Sequence, residues 1–177
     1  MSLLLGYTRR VKVLGIDCGS ECTGYGIVEA GSDGELHWVA AGAIRLSTRE
    51  RLPARLAQLF RELQRIIERE HPDAVAIEDV FHAANAKSAL KLGHVRGVAM
   101  LAAASCNLEV AEYAPLTIKA AVVGYGKAEK VQVQEMVKRL LRLAELPQPT
   151  DVSDALAIAI CHLHTAATLS RQAGSRI

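Results

Sequence analysis

Val11-Lys-Val-Leu-Gly-Ile-Asp17, then Cys18-Gly-Ser-Glu21, then Thr23-Gly-Tyr-Gly-Ile-Val-Glu-Ala30 set the architecture of this chain. The first segment is an apolar, β-branched run that ends in a carboxylate, the pattern of a buried central strand. The middle segment is too short to hold a crossover helix, so the second strand must fold back antiparallel on the first. Gly31-Ser-Asp-Gly34 is a dense turn signal, and Leu36 to Leu46 supplies a third strand. Three strands joined this closely form an antiparallel meander.

Downstream the pattern changes to alternating helix and strand. Leu52, Leu56, Leu59, Phe60, Leu63, Ile66 and Ile67 fall on a spacing of three and four, which predicts a helix from Pro53 to Glu70, stopped by His71-Pro-Asp73. Ala74-Val-Ala-Ile-Glu78 reads as a short buried strand. Asn85 suits the cap of a helix running to Ser105. Glu109 to Tyr113 reads as a fifth strand, and short helices follow over Leu116–Val123 and Lys130–Leu143. Pro147-Gln-Pro149-Thr150 leads into a last helix over Asp151–Leu169. The order β-β-β-α-β-α-β-α-α-α predicts an α/β fold, a mixed five-stranded sheet with helices on both faces, as in ribonuclease-H-like proteins. One domain over residues 11–169 is expected, with an extension over 1–10 and a flexible tail over 170–177.

At 177 residues, 50% hydrophobic and 23% charged, the chain is neither disordered nor a disulfide scaffold. No stretch reads as a membrane span or a cleavable signal. Cys18, Cys22, Cys106 and Cys161 lack zinc-site spacing and read as reduced thiols, which predicts a cytoplasmic protein. The net charge of +2 conceals a basic middle: residues 82–142 carry 9 Lys and Arg against 4 Asp and Glu. Such a surface suits a polyanion held beside a carboxylate site.

Four acids carry the chemistry. Asp17 and Glu78 each end a buried strand, where ligands gather in open α/β sheets, and they lie side by side if strands one and four are neighbours. Asp151 and Asp154 are 60° apart on one helix face, together with Ile158 and His162. The acids could simply cap and charge the helix start, but the apolar run Ala155-Leu-Ala-Ile-Ala-Ile160 must be buried, which holds that start against the protein body. Converging carboxylates without matching bases call for hard divalent cations, Mg²⁺ or Mn²⁺. A pair of such ions suits phosphodiester hydrolysis.

These residues are familiar as a set. Gly15-Ile-Asp17-Cys-Gly-Ser20, Thr23-Gly-Tyr-Gly26, Ile77-Glu78-Asp-Val-Phe81, Ser88-Ala-Leu-Lys-Leu-Gly93, Arg96-Gly97-Val98, Val122-Val-Gly124, Ala128-Glu-Lys130-Val-Gln132 and Asp151-x-x-Asp154-Ala-Leu-Ala-Ile-Ala resemble, in order, the RuvC family of Holliday-junction resolvases. The resemblance implies a bacterial, cytoplasmic homodimer that cuts two opposed strands of a four-way DNA junction with Mg²⁺, two ions per site. It works beside branch-migration proteins of the RuvA and RuvB type. By the same resemblance Asp17, Glu78, Asp151 and Asp154 are the metal-binding catalytic acids. Lys119 and Lys130 act in catalysis or on the scissile backbone, and Phe81 stacks on a base near the junction centre. Lys87, Lys91, Arg96 and Lys127 are expected at phosphates, which position DNA without reading its sequence. Arg96 has the alternative of pairing with a core acid, and Phe81 that of filling the core.

Cys18 stands where the family usually has proline, and Asp79 where glutamine is common. Ala89, Gly93 and Gly97 form a small-residue stripe, open to two readings: close packing across a dimer interface, or on the chain's own sheet. Rival functions are a nuclease of the same fold acting on structured RNA and a junction-binding protein that does not cut. An actin-like phosphotransferase would need a second domain with its own phosphate hairpin, which this length does not supply.

Overall fold

The computed structural model describes residues 10–79 and 86–174. Strands β1 (Val11–Asp17), β2 (Cys22–Ala30) and β3 (Leu36–Arg45) form the expected meander. Helix α1 (Leu52–Glu70) follows, ending on His71 in the left-handed region with φ 49°. Then come β4 (Ala74–Glu78), α2 (Ala86–Ser105), β5 (Val110–Tyr113), α3 (Pro115–Val123), α4 (Lys130–Leu140) and α5 (Thr150–Gly174). The sheet order is β3-β2-β1-β4-β5, with β4 parallel to both β1 and β5. This is the ribonuclease-H-like α/β arrangement, and every expected element is present.

Strand alternation divides the core into two layers. Leu14, Ile16, Ile27, Val75 and Ile77 point to one face, where α1 and α2 cover them. Val13, Val28 and Ala76 point to the other, against α3, α4 and α5. Gly15, Gly24 and Gly26 share this second face. A side chain on Gly15 would meet the Ala155 carbonyl oxygen at 2.1 Å, and one on Gly24 the Asp151 carbonyl oxygen at 2.0 Å. These glycines let α5 lie directly on the sheet.

Three expectations are corrected here. Helix α5 continues to Gly174 rather than ending at Leu169, and Asp151 lies inside its first turn rather than at the cap. Residues Thr150–Leu169 are long and apolar enough to cross a membrane by length and composition, contrary to the reading that no stretch qualifies. Burial explains that composition: Ala155 to Cys161 are at most 2% exposed in the core. The reading of Ala89, Gly93 and Gly97 as packed on the chain's own sheet also fails. All three are exposed, and a side chain at Gly93 or Gly97 would meet nothing within 4 Å. The sheet-facing side of α2 is instead Val95, Ala99, Ala102 and Ala103.

Candidate active site

The same alternation that sorts the core places the acids. Asp17 has the parity of Gly15, and Glu78 that of Ala76, so both carboxylates emerge on the α5 side of the sheet. The parallel register pairs Ile16 with Ile77, which sets Asp17 and Glu78 at adjoining strand ends, with backbones about 4.8 Å apart. Asp17 also pairs with Gly24, the residue on which the Asp151 backbone rests. One turn along α5, Asp154 lines a cavity of about 250 Å³ with Glu78, Lys119, Lys130 and Ile158.

Asp17 feels the other three acids. Burial, then Asp154, Glu78 and Asp151 in that order, push the Asp17 carboxyl up to about 7 from its ordinary 3.8. Burial and Asp154 likewise raise Glu78. Lys130 opposes both shifts, and Lys119 opposes that of Glu78. Lys130 Nζ donates to Asp154 Oδ2 at 2.6 Å. Burial lowers the Lys130 ammonium, but the Asp154 bond and the neighbouring Asp17 and Asp151 outweigh it, so its pKa rises.

The donor set fits a hard divalent cation: four carboxylates, a strained ionisation equilibrium at Asp17, and Lys119 and Lys130 as counter-charges in the cavity. Among the described residues no three His, Cys, Asp or Glu side chains are already gathered tightly enough to hold an ion together. The acids are neighbours through their fields, and Asp154 is turned to Lys130. Asp17, Glu78, Asp151 and Asp154 would hold a divalent cation, which would supply neutralising charge and polarise a water. The protein fixes where the oxygens begin, through two strand ends and one helix turn.

The turn after Asp17 is braced from behind. Thr23 Oγ1 donates to the Gly19 carbonyl at 3.1 Å, and the buried Arg55 guanidinium of α1 donates to the Ser20 carbonyl. Sequence reading missed Arg55, although an arginine on the apolar face of α1 next to Leu56 and Leu59 was a usable signal. Cys18 sits on the opposite face of the sheet, its thiol pushed up to about 12 by burial and then by Asp17, so it stays protonated and inert.

The other expected site residues separate into groups. Lys119 and Lys130 reach the carboxylate cavity. Lys87, Lys91 and Lys127 are exposed. Phe81 and the Asn85 cap lie outside the described residues. Arg96 is in an ion pair, as its alternative expected, but with partly exposed acids rather than a core one. Its Nη2 bonds the Glu112 carboxylate and stands 3.4 Å from Asp79 Oδ1. Parity supplies the reason: Glu112 and Asp79 point to the α2 face, away from the cluster, and Arg96 meets them there. His162, one of the residues on the Asp151 face, turns to Tyr113, whose hydroxyl is 3.0 Å from Nδ1. Burial lowers the pKa of that imidazole.

A ribonuclease-H-like sheet with carboxylates at the ends of β1 and β4 and at the start of the covering helix defines a metal-dependent nuclease. The family pattern of crossover junction endodeoxyribonuclease RuvC matches residues 13–162. The crossover junction endodeoxyribonuclease RuvC of Koribacter versatilis is 66% identical over 161 residues, 91% of this chain and 97% of that protein. That of Acidobacterium capsulatum is 56% identical over 169 residues, 92% of this chain and 98% of that protein. The solved structure of Thermus thermophilus RuvC in complex with Holliday junction substrate matches with a TM-score of 0.86 at 31% identity, covering 90% of this chain and 97% of that one. The chain belongs to the RuvC family of crossover junction endodeoxyribonucleases.

Lys130 gives the site a testable pH signature. Because it lowers Asp17 and Glu78, Lys130→Met should raise both further and move the acid limb of the pH–rate profile to higher pH, while Lys130→Arg keeps the limb in place. Cleavage rates measured between pH 5.5 and 9 check this. A Lys130→Met enzyme that is slower but has an unmoved limb would remove the lysine from the acids' field.

Proposed function

We propose that this chain resolves four-way DNA junctions by two symmetric cuts, each made at a cluster of Asp17, Glu78, Asp151 and Asp154 that holds two Mg²⁺ ions, with Mn²⁺ as a substitute. The observation that carries this reading is the convergence of acids from β1, β4 and α5, where Asp154, Glu78 and Asp151 add to burial in raising Asp17, and Asp154 adds to burial in raising Glu78. Such an arrangement is destabilising unless a cation uses it. Lys119 and Lys130 act beside the scissile phosphate, Phe81 stacks on a base at the junction centre, and Lys87, Lys91 and Lys127 hold phosphates. The protein works in the cytoplasm with branch-migration proteins of the RuvA and RuvB type.

One chain carries one cluster, so paired cuts in a two-fold symmetric junction require two copies. The interface in this reading is the exposed groove lined by Leu56, Ala89, Leu90, Gly93, Gly97 and Leu101. Leu90 is 66% and Leu101 58% exposed there, and the glycines leave room for a second helix. Leu101→Glu should give a monomer in sedimentation with an unchanged helical spectrum and without paired nicks. A dimer that survives this charge would move the interface elsewhere.

The function is tested with a labelled four-way junction beside linear duplex and structured RNA, in Mg²⁺, Mn²⁺ and Ca²⁺. Paired symmetric nicks in the junction alone are expected. Binding without cuts would leave a recognition module, and cutting of the RNA would change the substrate.

A further inference from the structure

Helix α3 ends on Gly124 in the left-handed region, φ 97°, whose N–H donates to the Ala120 carbonyl. Glycine adopts that conformation without steric cost, and it reverses the chain. Gly126 then lies against the first turn of α3, since a side chain there would stand 3.2 Å from the Leu116 carbonyl oxygen. Four residues on, Lys130 opens α4 with its ammonium on Asp154. Tyr125 is thus carried on an arch that leads from α3 back to the carboxylate cavity. It is 48% exposed, and Leu116, beside the arch, is 65% exposed.

The chain that follows this ring is rich in lysine. Lys127 is exposed on the same arch, and Lys119 and Lys130 line the cavity it leads to. The acid of the arch, Glu129, is engaged in a capping box with Gln132 at the start of α4. An exposed aromatic on an arch that carries Lys127 and ends at Lys130 of the carboxylate cavity matches a nucleotide: cations for phosphates and a π-face for the base. In a linear duplex both faces of each base are covered by neighbours, whereas the centre of a four-way junction presents bases whose stacking is broken.

We propose that Tyr125 stacks on an unstacked nucleobase of the strand being cut, close to the scissile phosphate, while Lys127 holds a neighbouring phosphate. The inference rests on the junction-cutting reading above and adds a source of structure selectivity to it. Tyr125 supplies an interaction that a junction can use and a duplex cannot. Lys127 supplies one that both share.

The test uses full-length protein in Ca²⁺ with junctions carrying 2-aminopurine in turn at nucleotides on either side of the cut. Wild type and Tyr125→Phe should change the probe's fluorescence at one position and bind alike. Tyr125→Ala and Tyr125→Leu should lose that change and bind the junction about five- to tenfold more weakly, with linear-duplex binding unmoved. The salt slope of binding should be unaltered by the tyrosine variants but smaller by about one for Lys127→Gln. Since about half of the ring is exposed, melting temperatures should fall by no more than about 2 °C. Wild-type signal and affinity in Tyr125→Ala, or full affinity in Tyr125→Leu, would overturn the stacking role while leaving junction cutting intact. Failure of the wild type itself to bind the junction would overturn the functional reading and this inference together.

Discussion

In EDTA at pH 8, Asp17→Asn should melt about 3–6 °C above the wild type, yet make no detectable cut when divalent metal is restored. The stability gain follows from the direction of the Asp17 shift. Its carboxyl is raised from 3.8 to about 7 in the fold, so the folded chain keeps this proton to higher pH than the unfolded chain does. The resulting penalty is absent below pH 3.8, grows as the pH rises towards 7, and is complete above it. A shift of this size corresponds to about 4 kcal/mol. Asparagine removes the buried charge and its repulsion by Asp154, Glu78 and Asp151 but still buries a polar amide, which leaves about 1–2 kcal/mol. The advantage should therefore shrink as the pH is lowered from 8 to 4.

Metal reverses the ranking. A cation that binds only the folded wild type raises its melting temperature with concentration, and the variant should gain less because one of its ligands is neutral. Thermal melts across pH with EDTA or Mg²⁺, alongside junction cleavage, give both readouts. A variant that melts at or below the wild type in EDTA at pH 8 would show that Asp17 is not crowded by other acids.

Asp17, Glu78, Asp151 and Asp154 were legible in the sequence because each ends or begins an element that local pattern defines. Two apolar runs stop at a carboxylate, and one apolar helix begins with two. The neighbouring placement of β1 and β4 followed from the element order. What the sequence did not reveal is which helix covers which sheet face, because that depends on long-range packing. Gly15, Gly24 and Gly26 read locally as ordinary strand glycines, yet together they are the seat of α5. Conversely Ala89, Gly93 and Gly97 lie open within the chain, which removes the reading on its own sheet and leaves the one across a dimer interface. The ion pairs of Arg96 with Glu112 of β5 and with Asp79, just past β4, were not legible either, because its charge is visible in sequence and its partners are not. The extra turn of α5 beyond Leu169 escaped for another reason: its residues are polar, and helix propensity alone sets no boundary there.

The seat of α5 yields the second large effect. Gly24→Ala should destabilise the protein by about 3 kcal/mol, lowering its melting temperature by roughly 6–12 °C, and should cut junction cleavage at least about 100-fold. The added methyl group would stand 2.0 Å from the Asp151 carbonyl oxygen and 2.4 Å from its carbonyl carbon. Backbone, unlike the end of a flexible side chain, cannot swing aside, so the first turn of α5 must rise from the sheet. Gly24 pairs directly with Asp17, so that movement separates Asp151 from Asp17. The field that raises Asp17 then weakens, and Mg²⁺ should stabilise the variant less than the wild type. Gly97→Ala, made in the monomeric Leu101→Glu background, is the matched control. Its methyl would meet nothing within 4 Å on a helix, so alanine should stabilise by about 0.5–1 kcal/mol through propensity alone. Loss of cleavage in Gly24→Ala with a wild-type melting temperature would place the damage in the chemistry rather than in the seating of α5. Full cleavage with a lowered melting temperature would show that Asp151 can leave its seat without cost to the reaction.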